Sequence, residues 1–287
     1  MIVKLINSYN VSLSLSYKFP FFLTSIQGID GLKANIFKYH TVNQDGSTYI
    51  NSIIGERDIE VNGVIKGYSK DEINNWRRWL IRFLNPKDKM NLILDNGTQI
   101  YKIECIVESA PIFASNINYN EFSFALNCPS PYFEDVASKT AMIARWEPAF
   151  HFPLNLRRDR GKLMGYRVQD LIIDVINDGD VPTGMLIEFK ALRELLNPSI
   201  INIKTREFIK INKRMTTGEV ITINTNVGYK KIMVNLNNII SNGFRYLDLE
   251  STFLQLDTGK TRYRYNADEN INGLQIKILF NQKYLGI

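Results

Sequence analysis

Residues Asn91 to Ser109 read NLILDNGTQIYKIECIVES. Two apolar runs flank Asp95-Asn96-Gly97, residue types that tolerate the positive φ of a hairpin turn. In the second run Tyr101, Ile103, Cys105 and Val107 alternate with Lys102, Glu104 and Glu108, the period of a strand with one wet face. The stretch therefore predicts an antiparallel hairpin. Just downstream, NEFSFALNC places Phe122, Phe124, Leu126 and Cys128 on one face of a further strand. Upstream, one segment has clear helical periodicity, SKDEINNWRRWLIRFLNP from Ser69 to Pro86. Ser69 and Glu72 have capping-box spacing, and Asp71 and Glu72 suit the positive end of the helix. Ile73, Trp76, Leu80 and Phe83 form its apolar stripe, and Pro86 stops it. The first domain is expected to be a mainly antiparallel β-fold with one helix packed on it.

The next seam is CPSPYFED, beginning at Cys128. Pro129 and Pro131 each remove a ladder donor and fix φ, which ends the preceding strand. We place the boundary there, giving domains of residues 1–133 and 134–287. A chain of 287 residues is long enough for two cores. Beyond the seam, strand-like runs recur with turn signals at sandwich spacing: LIIDVI, GMLIEFKA, IINIK, EFIKI, EVITINT, KKIMVNL, STFLQL, TRYRY and GLQIKILF. In the last of these Leu274, Ile276, Ile278 and Phe280 share a face. The second domain reads as all-β.

Composition narrows the classes. With 45% hydrophobic and 22% charged residues the chain is globular. The net charge of +6 divides as 13 basic against 12 acidic side chains in residues 1–133 and 22 against 17 in the remainder. That is a mild bias, not the concentrated basic face of a nucleic-acid binder, so sequence-specific nucleic-acid binding is not expected. No run approaches the ~18 apolar residues of a membrane span, and the N-terminal stretch lacks a secretory pattern. Synthesis and folding in a cytoplasm follow as the expectation, and Cys105 and Cys128 are expected to stay reduced.

Catalytic constellations are missing from the pattern. His40 and His151 are far apart, and neither the metal spacings nor the nucleophile and nucleotide motifs occur. The expectation is a protein that is not an enzyme, with no cofactor and no metal. The stretch NQDGSTYINSIIGERDIEVNGVI, Asn43 to Ile65, carries the most tempting carboxylates. Alternation sends Asp58 and Glu60 to one polar face and Ile59 and Val61 to the core, so the pair reads as surface. Arg57 falls on the Ile59/Val61 side; it either pairs with an acidic residue at a domain edge or neighbouring subunit, or reaches water from the strand end. Arg157, Arg158 and Arg160, in NLRRDRGKLMGYR, form a loop fit either for an acidic partner or wall polymer, or for plain solvation. Tyr263, Tyr265 and Tyr284 read either as sugar-stacking aromatics or as packing.

The ordered set of fragments resembles the distal tail protein family of long-tailed, siphovirus-type bacteriophages. In the first domain the resemblance rests on LTSIQGIDG, QDGSTY, RDIEVNGVI, LIRFLNP, the hairpin quoted above and FSFALNCPSPYFED. In the second it rests on FHFPL, VINDGDVPTGMLIEF, NPSIINIKTREFIKI, GEVITINT and STFLQLDTGKTRYRYNAD. It implies a tail-tube-like β-sandwich or barrel with one α-helix, which would be the ring-forming domain, followed by a galectin-like β-sandwich. It also implies a structural hub of the tail tip or baseplate in the virion, commonly a hexamer, assembled in the host cytoplasm. The implied partners are further copies of itself, the tail tube protein, the tail-associated fibre or lysin protein and, in some phages, a receptor-binding protein. The alternative reading is a cell-wall carbohydrate-binding module acting in host attachment.

Overall fold

The computed structural model describes residues 1–115, 120–143, 145–149, 152, 165–168 and 171–287. The chain divides into two compact units, the first of residues 1–136 together with 283–287, the second of residues 137–282. The division falls a few residues beyond the proline-rich seam. The closing five residues, expected in the second domain, belong to the first unit.

The first unit contains β1 (Ile2–Asn7), β2 (Ser12–Leu15), β3 (Phe21–Gln27), β4 (Ala34–Tyr39), β5 (Thr48–Ile54), β6 (Arg57–Ile65), α1 (Lys70–Phe83), β7 (Lys89–Asp95), β8 (Ile100–Ser115), β9 (Asn120–Cys128) and β10 (Phe133–Asp135). Antiparallel pairing runs in the order β2-β1-β7-β8-β9-β6-β3. The sheet does not close into a barrel; its two edge strands meet only at the isolated Ser16–Phe22 bridge. The quoted hairpin is β7–β8, with Gly97 at φ +93° in its turn. The Asp95 carboxylate accepts the Gly97 amide and the Asn96 side chain accepts the amides of Thr98 and Gln99. Side chains thus satisfy the turn's backbone donors.

Helix α1 begins where the capping residues place it. Ser69 Oγ accepts the Glu72 amide at 3.2 Å, while the Glu72 carboxylate reaches one residue further back, to the Tyr68 amide at 2.8 Å. The stripe buries Leu80 and Phe83. Trp76 and Trp79 flank Phe21, with ring centroids 5.6 and 5.5 Å from it. This aromatic layer joins the helix to the core of β1, β6, β7, β8 and β9.

Strand β6 alternates as the sequence requires, with Arg57, Ile59, Val61 and Ile65 buried and Asp58 and Glu60 exposed. Gly63 lies on the inward face, where a Cβ would come 2.4 Å from Phe122 Cζ and 2.6 Å from the Phe22 carbonyl oxygen. A β-carbon cannot fit there without moving backbone. Gly63→Ala is therefore expected to lower unfolding free energy by about 2 kcal/mol, read from urea denaturation; a change under ~0.5 kcal/mol would show that the strand relaxes freely.

In the second unit, a six-stranded sheet orders Lys139–Ile143, Leu274–Phe280, Leu186–Ala191, Val220–Asn224, Lys231–Leu236 and Ile239–Asn242. A four-stranded sheet orders Ile172–Asn177, Gly259–Asn266, Ser199–Asn202 and Phe208–Lys210. Val175, Ile200 and Tyr263 from the smaller sheet share one core with Phe189, Ile221 and Ile276 from the larger, the arrangement of a sandwich. One expectation changes, and one of the two readings of the tyrosines holds. STFLQL is not a ladder strand: its Leu256 makes only an isolated bridge with Thr183, although Leu254 and Leu256 are buried. Tyr263 and Tyr265 are core residues, 0% and 1% exposed, because Gly259–Asn266 lies between two strands and turns this face inward. Neither tyrosine is available to stack on a sugar.

Candidate assembly site

Among the described residues, strands β4 and β5 pair only with each other and form a separate two-stranded sheet. Residues 43–46 make its turn region, with Asn43 at φ +64° and Gly46 at φ +80°. The connection is braced by His40 Nδ1–H donating to the Gly46 carbonyl at 2.7 Å and by Gln44 Nε2 donating to Thr48 Oγ1 at 2.9 Å. Asp45-Gly46 is thus part of a hairpin tip, as its turn chemistry predicts, but the hairpin itself projects as an arm. Every β4 residue is exposed, as are residues 49–53 of β5.

The arm carries Ile36, Phe37, Tyr39, Tyr49, Ile50 and Ile53, each about half exposed or more. A lone two-stranded hairpin is marginal in water, and its outer edges present unpaired backbone groups. Contiguous exposed apolar surface marks an interaction site. The arm combines unpaired outer edges with several large exposed apolar side chains.

At the root of the arm sits Arg57, 3% exposed. Its Nε donates to the Pro131 carbonyl at 2.8 Å, Nη1 to the carbonyls of Gly28 and Asp30, the latter at 2.8 Å, and Nη2 to the Leu285 carbonyl at 2.6 Å. Four of its five N–H groups are thereby engaged inside its own unit. The guanidinium also lies 4.7 Å from the centre of the Phe133 ring. Burial lowers its pKa, while electrostatic interaction with Cys128 and with the Asp30 carboxylate opposes that shift; arginine stays a cation regardless. The guanidinium does not reach water from the strand end. Arg57 instead gathers four carbonyls from three separate segments.

The first of those segments, holding Gly28 and Asp30, lies where the arm leaves the sheet, and Arg57 itself stands where the arm rejoins it. Residues 28–33 run from β3 to β4, and residues 55–56 lead from β5 into Arg57. Gly28 has φ +83°, and a Cβ there would fall 2.0 Å from the Asp58 carbonyl oxygen, so only glycine allows this approach. The third segment is the closing stretch. Its strand Lys283–Tyr284 pairs with β10, and the Ile287 amide donates to the Ile29 carbonyl at 3.1 Å. Tyr284 Oη accepts from Gln99 Nε2 at 3.0 Å and donates to Asp135 Oδ1 at 3.2 Å. Desolvation first, together with the Asp135 carboxylate, pushes the Tyr284 phenol up to about 12.

The remaining expected residues are placed as follows. Asp58 accepts from Asn127 Nδ2 at 3.0 Å and stays exposed on the same face as Glu60. Arg157, Arg158 and Arg160 lie outside the described residues. Cys105 and Cys128 are free and buried; hydrogen bonding to Cys128 and burial both push the Cys105 thiol up. Among the described residues no group of three His, Cys, Asp or Glu is placed to hold a metal. Sequence reasoning singled out Arg57 but missed the arm and the closing stretch. TYINSII, rich in β-branched and aromatic residues, is the signal that could have found the arm.

Two sequence families match the chain in succession. The phage tail protein RIFT-related domain covers residues 10–128, and the siphovirus-type tail component, C-terminal domain, covers residues 178–284. Among solved structures, the SPP1 Dit (gp 19.1) protein, described as a paradigm of the hub adsorption apparatus in phages infecting Gram-positive hosts, superposes with a TM-score of 0.74. The identity is 11%, and 99% of each chain is covered. A chain of the phage P2 baseplate in its activated conformation with Ca gives a TM-score of 0.54 at 11% identity, covering 100% of this chain and 99% of that one. No curated protein sequence matches. The succession of the two domains makes this a phage tail structural protein. More narrowly, the chain belongs to the distal tail proteins of the siphovirus type, and it has their fold.

Proposed function

We propose that this chain is the hub of the tail tip or baseplate: a closed ring, of six copies, that joins the tail tube to the fibre or lysin protein and to receptor-binding components at the distal end of the virion. The observation that carries the ring is the β4–β5 arm, a sheet whose strands are exposed and whose outer edges pair with no other strand among the described residues. A ring closes when one surface of a subunit docks on a different surface of the next. The first unit supplies such a second surface in its open edge strands, β2 and β3. Docking there would shield edges that otherwise invite aggregation. The central opening would pass the genome, and the near balance of charge in residues 1–133 suits a channel that does not trap it. The hub adsorption apparatus named for the SPP1 relative supports the same reading.

Particle imaging tests it. A ring of this chain is expected at the distal end of the tail, and its absence from tails would overturn the proposal. A solution experiment addresses the arm separately. Phe37→Asp with Ile50→Asp, at two exposed positions, is expected to weaken ring formation by about a hundredfold in concentration-dependent native mass measurement while leaving the melting temperature unchanged. Unaltered assembly would remove the arm from the interface.

A further inference from the structure

We propose that Arg57 and the closing stretch Lys283–Ile287 form a latch that sets the direction in which the β4–β5 arm projects. The arm is attached through two short connections, and Arg57 bonds directly to the first of them at the carbonyls of Gly28 and Asp30. It is itself the residue at which the second connection ends. The same guanidinium holds the Leu285 carbonyl at 2.6 Å, so one side chain ties both connections to the closing stretch.

The closing stretch adds contacts of its own to the same loop. Ile287 donates to the Ile29 carbonyl. Gly286 packs so closely that a Cβ there would stand 2.8 Å from both the carbonyl carbon and oxygen of Asp30. On its other side the stretch is moored by the Lys283–Tyr284 pairing with β10 and by the Tyr284 bonds to Gln99 and Asp135. Residues 28–31 are therefore held between a buried cation and a moored backbone. A hairpin supported only at its base takes its direction from that base, because small φ/ψ changes there swing the tip through a large arc.

Arg57 is accordingly a positioning residue. Buried inside its own unit, it holds the root of the element that would meet a partner. The consequence for assembly rests on the ring reading; the latch itself does not, and it can be tested on isolated subunits. The experiment places nitroxide labels at Val42→Cys, at the tip, and Asn91→Cys, on the exposed face of β7. The two native thiols are buried. Pulsed dipolar spectroscopy is run on labelled full-length protein diluted in unlabelled protein, so that only distances within one chain are read.

The unsubstituted latch is expected to give one narrow distance distribution. Gly286→Val, which wedges the stretch away from Asp30, and Arg57→Lys, which keeps the charge but not the four-carbonyl geometry, are each expected to broaden it by about twofold or more. Truncation after Gln282 is expected to broaden it at least as much. Melting curves run alongside separate the latch from simple stabilisation. If Arg57→Lys lowers the melting temperature and Gly286→Val and the truncation leave the distribution narrow, the latch is refuted. Ring formation in unsubstituted protein is measured independently, so failure of the ring reading leaves this result standing.

Discussion

Replacing Arg57 by methionine is expected to reduce the unfolding free energy of the first unit by about 4 kcal/mol, among the largest single-site losses in the chain. Methionine restores much of the apolar volume against Phe133 but donates no hydrogen bond. The carbonyls of Gly28, Asp30, Pro131 and Leu285 then lose a charged donor together. Bonds to an ionised donor each contribute roughly 1.5–3 kcal/mol, and an orphaned buried acceptor bears its full desolvation penalty. Removal of a buried cation with no acidic side chain at bonding distance relieves part of that loss, which is why the expectation stays well below four times the single-bond figure. Arg57→Lys should cost about half as much, since an ammonium offers three donors from a single point and cannot span a fork set for a guanidinium. Urea denaturation followed by the fluorescence of Trp76 and Trp79, both packed in this unit, measures the effect. A loss under ~1 kcal/mol for Arg57→Met would mean that water replaces the guanidinium, leaving the root of the arm without the rigid anchor described above.

The burial of Arg57 was half legible in the sequence. Alternation in RDIEVNGVI puts it on the inward side with Ile59 and Val61, and the structure places it there. What alternation cannot supply is a partner. Those partners are backbone carbonyls, which carry no residue signature, and one of them is 228 positions away. The same limit explains the closing stretch: KYLGI has no pattern that distinguishes pairing with β10 from continuation of the second sandwich. By contrast the β7–β8 hairpin, α1 and most second-unit strands were legible because turn, cap and period signals are local. The arm failed for an intermediate reason. Its strands have β-forming residues but no polar-apolar alternation, and alternation appears only when one face is buried within the chain itself. A hairpin exposed on both faces reads as noise under a rule calibrated on strands with one buried face.

The second sandwich yields the other large expected effect, and it bears on sugar recognition. Tyr263→Ala should destabilise the second unit by about 4 kcal/mol, because the ring is fully buried among residues of both sheets. Tyr263→Phe should cost only about 1 kcal/mol, the worth of the bond its hydroxyl donates to the Gln255 carbonyl at 3.2 Å. Burial and the nearby Asp257 and Glu207 carboxylates push its phenol well above the usual range, so it stays protonated and donating through neutral pH. The neighbouring Arg262 and Arg264 face outward on the same strand, and Arg262 donates to Asp174 at 3.1 Å. Loss of wall binding in the alanine variant would thus report unfolding and not a missing sugar contact. The informative comparison is Tyr263→Phe with Arg264→Ala, both expected to keep the fold, assayed on host cell walls beside unsubstituted protein. If retention on walls is present and falls at least tenfold with Arg264→Ala while Tyr263→Phe retains it, the outward face of this strand binds the wall and the hub role is incomplete. The expected result is that neither substitution changes retention, which leaves the four-stranded sheet as scaffold.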